Sequence, residues 1–249
     1  MRDALEVRAP QRLGTRALQR LVRGADPALL AEEPPDGPLA RHFVEAEAQR
    51  RAETGRPYKG ATRASRRHAF LYALVRALDA EHVVETGVAN GFTSAYLLAA
   101  LERSGHGTLH SIDLPFFDDP ATGAVTAAVT GAELETLDEY TPVAPGRAAG
   151  WIVPDELRPR WDLRLGDAKE LLPPLLAELG QIDLFFHDST HTREHILWEL
   201  ELAWPHVRAN GVLAADDVFL RGHEALPEFA RGKGLDFVTY GGVGYVRKR

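Results

Sequence analysis

Short apolar runs alternate with amphipathic stretches over most of the chain. Residues 64–78 have the apolar spacing of a helix that packs on a larger body. Beyond them the pattern predicts strands at 82–85, 108–112, 162–165, 182–186 and 212–215, and helices at 94–102, 169–179 and 193–207. Strands separated by helices form right-handed βαβ units. We therefore expect an α/β fold whose sheet is mostly parallel and has helices on both faces.

The last residues predict a reversed strand. Residues 235–240 and 243–246 have strand patterns, and Gly241 and Gly242 join them. A two-residue connection can join only antiparallel neighbours. Such an ending disfavours the standard dinucleotide-binding sheet, whose later strands stay parallel.

Two segments fall outside this regular pattern. Residues 1–57 are rich in Arg, Ala and Glu, and predict a helical appendage or lid rather than part of the core. Residues 58–249 form the predicted main domain, which a long irregular insertion at 114–160 interrupts. Because such insertions are usually lids or binding loops, we expect its aromatic residues, including Phe116, Phe117 and Trp151, to line a ligand pocket.

Composition narrows the classes of function. The chain has 249 residues, of which 45% are hydrophobic and 26% charged, as in soluble globular proteins. No apolar run approaches the roughly 18 residues of a membrane span, and the first residues lack an apolar signal core, so we expect a cytoplasmic protein. A net charge of -7 argues against nucleic acid as the main partner. The basic run at 63–67 is expected to be a solvated helix face.

A glycine turn follows the first predicted strand. Gly87 and Gly91 lack a Cβ and would let the backbone approach a ligand closely. The nicotinamide fingerprint Gly-x-Gly-x-x-Gly is not met, because Ala89 and Phe92 occupy its second and third glycine positions, which favours a ligand without phosphates. A purely structural turn is an equally good interpretation.

Single acids end the next two strands. Asp113 follows the second strand, where a carboxylate can accept hydrogen bonds from both hydroxyls of a ribose. Asp167 follows the third strand and could contact an adenine, although a cap on the next helix is the stronger interpretation.

Three further carboxylates follow two later strands. Asp188 ends one of them, and Asp216 and Asp217 end the next. If the two strands are neighbours, these oxygens converge and suit Mg²⁺, since a chain without Cys offers only hard ligands and His. An Asp-Asp loop that merely caps a helix is the alternative.

Two histidines flank Asp188. His191 could act as a general base, or could equally orient a metal-bound carboxylate or cap a helix. His187 lies on the opposite face of the strand from Asp188 and is expected to be structural. Ser189 has no Gly-x-Ser-x-Gly elbow around it, which argues against a hydrolase.

Together these residues resemble a known family. The sequence Glu85-Thr86-Gly87-x-x-x-Gly91, Asp113, Gly166-Asp167, the Asp188/Asp216-Asp217 set and the reversed strand are similar to class I S-adenosylmethionine-dependent methyltransferases. The similarity is greatest to the metal-dependent O-methyltransferases of small molecules, the catechol and macrocin types. The resemblance starts near residue 59 and implies a Rossmann-like, seven-stranded methyltransferase sheet.

The resemblance also implies roles for individual residues. Asp188, Asp216 and Asp217 would hold Mg²⁺, with Asp188 close to both cofactor and substrate. His191 joins Asp188 as a predicted catalytic residue because of its position in the sequence, not because of the resemblance. A weaker analogy places Gly60 and Thr62 near the carboxylate of the cofactor. His223 follows Asp217 in a loop and could reach the pocket, although an exposed loop histidine is the preferred interpretation. The residues implied to bind S-adenosylmethionine are Glu85, Gly87, Asn90, Gly91, Ser94, Asp113, Asp167 and Asp188.

The expected activity is O-methylation of a small hydroxylated molecule. A natural-product sugar or a phenol, as in antibiotic biosynthesis, would be the acceptor, and the enzyme would be a homodimer. Three alternatives stay open: a metal-independent methyltransferase with His191 as base, an iron-dependent hydroxylase with His191 and two Asp as ligands, and a non-catalytic binding protein. The ribose-binding position of Asp113 argues against the hydroxylase.

Overall fold

The computed structural model describes residues 13–34, 36–55, 65–118, 125–127, 143, 147–218 and 224–249. Its strands are β1 (His82–Thr86), β2 (Thr108–Asp113), β3 (Phe116–Asp118), β4 (Val125–Ala127), β5 (Trp161–Leu165), β6 (Ile182–His187), β7 (Val207–Ala215), β8 (Phe237–Tyr240) and β9 (Val243–Arg247). Its helices are α1 (residues 13–21), α2 (Pro38–Thr54), α3 (Arg66–Leu78), α4 (Phe92–Ser104), α5 (Ala168–Leu179), α6 (Arg193–Ala203) and α7 (Ala225–Gly232), with 3-10 turns at Pro27–Ala31 and Asp155–Arg160.

Seven strands form one sheet in the order β5-β2-β1-β6-β7-β9-β8. The first five in that order are parallel neighbours, and β9 is antiparallel to both β7 and β8. Every residue of β6 is buried, which explains its continuous apolar run. The predicted Rossmann-like, seven-stranded sheet, mostly parallel with a reversed last strand, is confirmed.

Helices α6 and α7 differ from the sequence prediction. Helix α6 ends at Ala203 rather than near residue 207, because Pro205 has no N–H to continue it and Val207 already pairs with Ile182. Helix α7 was not predicted, although Leu226, Phe229 and Ala230 have helical spacing and are buried.

The N-terminal helices contribute to the core. Leu18, Leu21 and Phe43 are fully buried in the same apolar cluster as α3 and α4. The ring of Phe43 meets Phe92 edge to face, with centroids 4.7 Å apart. These side chains therefore do not lie outside the core as an appendage would, while the division at residues 57 and 58 stays a prediction. None of the helices in the described ranges is long and apolar enough to cross a membrane.

Helix α1 offers a direct test of this packing. We expect Leu18→Ala to lower the free energy of unfolding by about 2–5 kcal/mol, since it removes a buried side chain. Leu13→Ala on the same helix, where the side chain is 60% exposed, should change it by less than about 0.5 kcal/mol. Urea denaturation of both variants makes the comparison. Equal stabilities would show that α1 is a loosely attached appendage.

Candidate functional site

The carboxyl ends of β1, β2, β6 and β7 lie side by side at one edge of the sheet. These strands are parallel and adjacent, with Thr86 paired to both Ile112 and His187 and with His187 paired to Ala215. The residues that follow them are therefore collected in one crevice, the position at which open α/β sheets bind ligands. Most of the predicted site residues lie there.

Gly87, after β1, lies against the backbone of Asp188, after β6. Its φ is +87°, and a Cβ on it would lie 2.0 Å from the carbonyl oxygen of Asp188. The N–H of Asp188 donates to Thr86, and the N–H of Gly87 donates to Ile112. Glycine is thus required here for the close approach of protein backbone. A contact of Gly87 with a ligand stays a prediction.

Gly91 and its neighbours pack against the end of the insertion. Gly91 has φ +93°, and a Cβ on it would lie 2.8 Å from Cα of Gly150. Asn90 is buried, and its side-chain oxygen accepts from Nε1 of Trp151 at 2.7 Å. Ala89 has φ +47°, a left-handed conformation that glycine adopts more readily than alanine. The insertion residues 150–153 therefore cover the glycine turn.

Asp113 is held at the end of β2 by the glycine turn. One carboxylate oxygen accepts from the N–H of Val88 at 2.9 Å and from that of Ala89 at 3.4 Å. The other oxygen, Oδ2, is buried and has no hydrogen-bond partner among the described residues. Burial raises the pKa of Asp113, and the two N–H groups oppose that shift. A buried acceptor without a partner fits the hydroxyl of a ligand.

Glu85 is buried at the end of β1. One oxygen accepts from the hydroxyls of Ser94 and Ser111, both at 2.7 Å, and Oε1 has no described partner. Burial raises the pKa of Glu85 to about 7, although the hydrogen bonds from Ser111 and Ser94 act to lower it. Ser94, predicted to bind cofactor, thus donates its hydroxyl to Glu85.

Asp167 lies at the start of α5. Its carboxylate accepts from the N–H of Lys169 at 2.8 Å and caps the helix. The capping interpretation of this residue agrees with the structure, whereas its contact with adenine stays a prediction. Gly60, Thr62 and His223 lie outside the described residues.

A buried polar network around Glu199 was not predicted. This fully buried carboxylate on α6 accepts from Thr86 at 2.7 Å and from Ser189 at 2.9 Å. His187 Nδ1 lies 2.6 Å, and His195 Nε2 2.9 Å, from its two oxygens. Burial acts to raise the pKa of Glu199, but the two imidazoles hold it well below its usual range.

The Glu199 network supports the end of β6. His187 is buried, in agreement with its expected structural role, and its ring lies edge-on to that of His191 with centroids 5.5 Å apart. The contact of His195 with the carboxylate of Glu199 was not predicted. The spacing of His195 and Glu199, four residues apart on one helix face, was the signal available in the sequence.

The acidic residues at the ends of β6 and β7 lie close together. Burial and the charge of Asp216 raise the pKa of Asp188 well above its ordinary value, and Asp217 adds to the shift. His191 Nε2 lies 3.7 Å from a carboxylate oxygen of Asp188. Asp217 has φ +56°, a left-handed conformation that Asp tolerates better than most residues.

Arg67 enters this acidic group, which the sequence did not predict. Its Nη1 forms an ion pair with Oδ2 of Asp216, and its side chain is only 28% exposed. The expectation that the basic run at 63–67 is a solvated face is therefore wrong for Arg67. Within the described part of the chain, no group of three or more His, Asp or Glu side chains is arranged to hold a metal ion. The trio as it stands does not fit Mg²⁺, because a guanidinium already occupies Asp216.

Comparison with known proteins agrees with this fold. Residues 84–218, more than half of the chain, match the family described as "Methyltransferase domain". The chain therefore belongs to this methyltransferase family, and the predicted enzyme class is confirmed. A search of curated proteins found no significant match.

Several solved structures share the fold. The methyltransferase PaMTH1 of Podospora anserina, bound to SAH, is 14% identical with a TM-score of 0.53 over 89% of this chain and 92% of that one. An O-methyltransferase of Bacillus cereus in complex with SAH is 13% identical, with a TM-score of 0.53 over 93% and 100%. The O-methyltransferase TomG of Streptomyces achromogenes, in complex with SAM, is 16% identical, with a TM-score of 0.50 over 84% and 90%.

Loss of Glu199 should destabilise the fold strongly. Glu199→Ala leaves the buried imidazole of His187, the partly buried imidazole of His195 and two hydroxyls without their acceptor, and we expect the free energy of unfolding to fall by about 3–5 kcal/mol. Glu201→Ala on the same helix removes an exposed ion pair with Lys233 and should cost less than about 1 kcal/mol. Chemical denaturation measures both. Similar losses would mean that the Glu199 network does not support the site.

Glu85 should make stability depend on pH. Its pKa is raised to about 7 in the folded chain, against an ordinary value of 4.5, so between these values only the folded chain keeps the proton. The free energy of unfolding should therefore fall as pH rises through this window. Between pH 5 and 8 we expect the wild type to lose about 2–3 kcal/mol relative to Glu85→Gln. Urea denaturation at both pH values tests this, and parallel pH profiles would contradict a protonated Glu85.

Proposed function

We propose that this enzyme transfers a methyl group from S-adenosylmethionine to a hydroxyl oxygen of a small molecule. The observation that carries the proposal is the buried carboxylate of Asp113, of which one oxygen is held by the glycine turn and the other has no described partner. This is the acceptor that a ribose hydroxyl requires at the end of the second strand. Asp113 is 7% exposed, so its unpaired oxygen would otherwise be costly.

The structural neighbours support S-adenosylmethionine as the methyl donor and a hydroxyl group as the acceptor. The structures from Podospora anserina and Bacillus cereus are described with SAH bound, and the second is described as an O-methyltransferase. TomG is described in complex with SAM and as involved in tomaymycin synthesis. We infer from these likenesses that the acceptor is a hydroxylated natural product or a precursor of one. Methylation assays with a panel of sugars and phenols distinguish these two acceptor classes.

The residues of the crevice divide into a donor part and an acceptor part. Asp113 would hold the ribose of the donor, and Glu85, whose Oε1 has no described partner, is the second candidate contact. When bound, S-adenosylmethionine supplies an electrophilic methyl group on a sulfonium, whose sulfur keeps the electron pair of the broken C–S bond. Asp188 lies at the junction of the two parts, since its backbone touches Gly87 and its side chain meets the acidic group.

The acceptor part has to remove a proton and stabilise the resulting charge. The acceptor oxygen forms the new bond to the methyl carbon as its proton passes to a base, for which His191 beside Asp188 is our candidate. With His191 as the base, the proposal corresponds to the metal-independent methyltransferase, one of the three alternatives left open by the sequence. The Mg²⁺-dependent form stays a prediction that a chelator tests. The iron-dependent hydroxylase is disfavoured because the chain belongs to a methyltransferase family.

Binding of SAH tests the donor site directly. Asp113→Asn retains an oxygen for the N–H groups of Val88 and Ala89 but presents a donor to the ribose in place of an acceptor. We expect it to weaken SAH binding about 10- to 100-fold in calorimetry. Asp155→Asn, which alters a fully exposed carboxylate, should bind SAH like the wild type. Unchanged affinity in a folded Asp113→Asn variant would refute this donor site.

A further inference from the structure

Arg67 is a cation built into the acidic end of the crevice. It is the second residue of α3, and its guanidinium reaches across to pair with Asp216 at the end of β7. Asp216 is 3% exposed, so breaking this pair would leave a buried charge uncompensated. The pair is therefore a fixed part of the site rather than a surface contact.

The start of α3 is held rigidly. His68 accepts from the N–H of Ser65, and the hydroxyl of Ser65 completes a capping box. The ring of His68 is buried and stacks on Tyr96, with centroids 5.2 Å apart. On the other side, a Cβ on Gly241 would lie 2.8 Å from Cβ of Arg67. The backbone of Arg67 is thus fixed by its own helix, by α4 and by the turn between β8 and β9.

Asp216 is fixed as firmly as its partner. Its N–H donates to the carbonyl of His187 at 2.9 Å, which ties the end of β7 to the end of β6. Its second carboxylate oxygen, Oδ1, is buried and has no hydrogen-bond partner among the described residues. The guanidinium consequently meets a carboxylate whose position the sheet determines.

The charges of Asp188 and Asp217 also act on Arg67. Burial acts to lower the pKa of Arg67, but the carboxylates of Asp216, Asp188 and Asp217 raise it on balance. Arg67 therefore stays charged at any pH at which the enzyme is folded. It faces the same three carboxylates to which the sequence assigned Mg²⁺.

We infer that Arg67 is the resident cation of the acceptor site, in place of a divalent metal ion. Its ion pair with Asp216 uses at most two of the five N–H donors of a guanidinium. Among the residues that the structure describes, the others have no hydrogen-bond partner. They can therefore donate charge-assisted hydrogen bonds to the acceptor oxygen as that oxygen loses its proton and attacks the methyl carbon. The statement that Arg67 is the resident cation, hereafter the charge-site claim, stands on the geometry alone. The contact of Arg67 with the acceptor rests on the proposed function.

Metal binding tests the charge-site claim without any acceptor. Titration of the full chain with MnCl₂ in a calorimeter, with and without SAH, should show no binding tighter than about 1 mM, since the guanidinium already occupies Asp216. Treatment with EDTA should leave the melting temperature unchanged. Binding of one Mn²⁺ per chain at micromolar concentration would overturn the inference.

Variants of Arg67 test whether its positive charge compensates the buried carboxylate of Asp216. Arg67→Met should lower the melting temperature by about 5 °C or more, and Arg66→Met, which alters the exposed neighbour, by about 1 °C or less. The double variant Arg67→Met/Asp216→Asn should melt above Arg67→Met, because the unpaired charge is gone. Equal melting temperatures of Arg67→Met and Arg66→Met would overturn the inference. So would a double variant that melts no higher than Arg67→Met.

The catalytic part is tested separately with tritiated S-adenosylmethionine and a panel of phenols and sugars. For any acceptor that is methylated, EDTA should leave the rate unchanged. Arg67→Met should lower kcat about 10²- to 10³-fold, with Arg67→Lys between it and the wild type. Arg66→Met should retain full activity. A rate lost with EDTA, or retained in Arg67→Met, would overturn this part. If no acceptor is methylated but SAH binding and the melting results are as expected, the proposed reaction fails and the charge-site claim stands.

Discussion

The close approach of Gly87 and Asp188 is the constraint on which the site depends. These residues follow neighbouring parallel strands, and the carbonyl of Asp188 lies where a side chain on Gly87 would begin. The N–H of Asp188 completes the junction by donating to Thr86 at 2.8 Å. Because of this contact, the donor part and the acceptor part of the crevice share one rigid backbone element. In-line methyl transfer requires such fixed placement of two reactants.

The enzyme keeps several carboxylates away from water, and it compensates each of them differently. Burial raises the pKa of Glu85 to about 7, so its carboxyl keeps a proton below that pH. Glu199 is balanced by the imidazoles of His187 and His195 and by two hydroxyls. Asp113 accepts from two backbone N–H groups, and Asp216 pairs with a guanidinium.

The partners of these carboxylates distinguish a structural role from a role in ligand binding. Glu199 has a close partner at each of its two oxygens, so its carboxylate holds β6 and α6 together rather than binding a ligand. Asp113, Glu85 and Asp216 each keep one buried oxygen without a described partner. A folded protein rarely leaves such atoms unsatisfied. The three oxygens therefore mark the part of the crevice where ligands are expected to bind.

The sequence predicts the sheet well because its signals are local. Buried parallel strands are continuous apolar runs, and the two-glycine turn at 241–242 permits only an antiparallel connection. The strand ends then identify Asp113, Asp188 and Asp216 without any knowledge of contacts. Interactions between distant segments are not predictable in this way. The packing of Leu18 and Phe43 into the core, and the pairing of Glu199 with Thr86 and His187, depend on which helix covers which strand.

The sequence predicted Mg²⁺ at the acidic group, where the structure has the guanidinium of Arg67, and the difference has a physical reason. Three carboxylates at neighbouring strand ends predict that positive charge must be supplied, but a metal ion and a guanidinium satisfy that need equally. The choice depends on the rotation of α3, whose successive residues point about 100° apart. The buried stripe of Phe70, Leu71 and Leu74 sets that rotation. It turns Arg67 toward Asp216 and leaves Arg66 exposed. A shift of one residue in the apolar stripe would exchange the two arginines, so the chemistry of the acceptor site follows from the packing of a helix that carries none of the carboxylates.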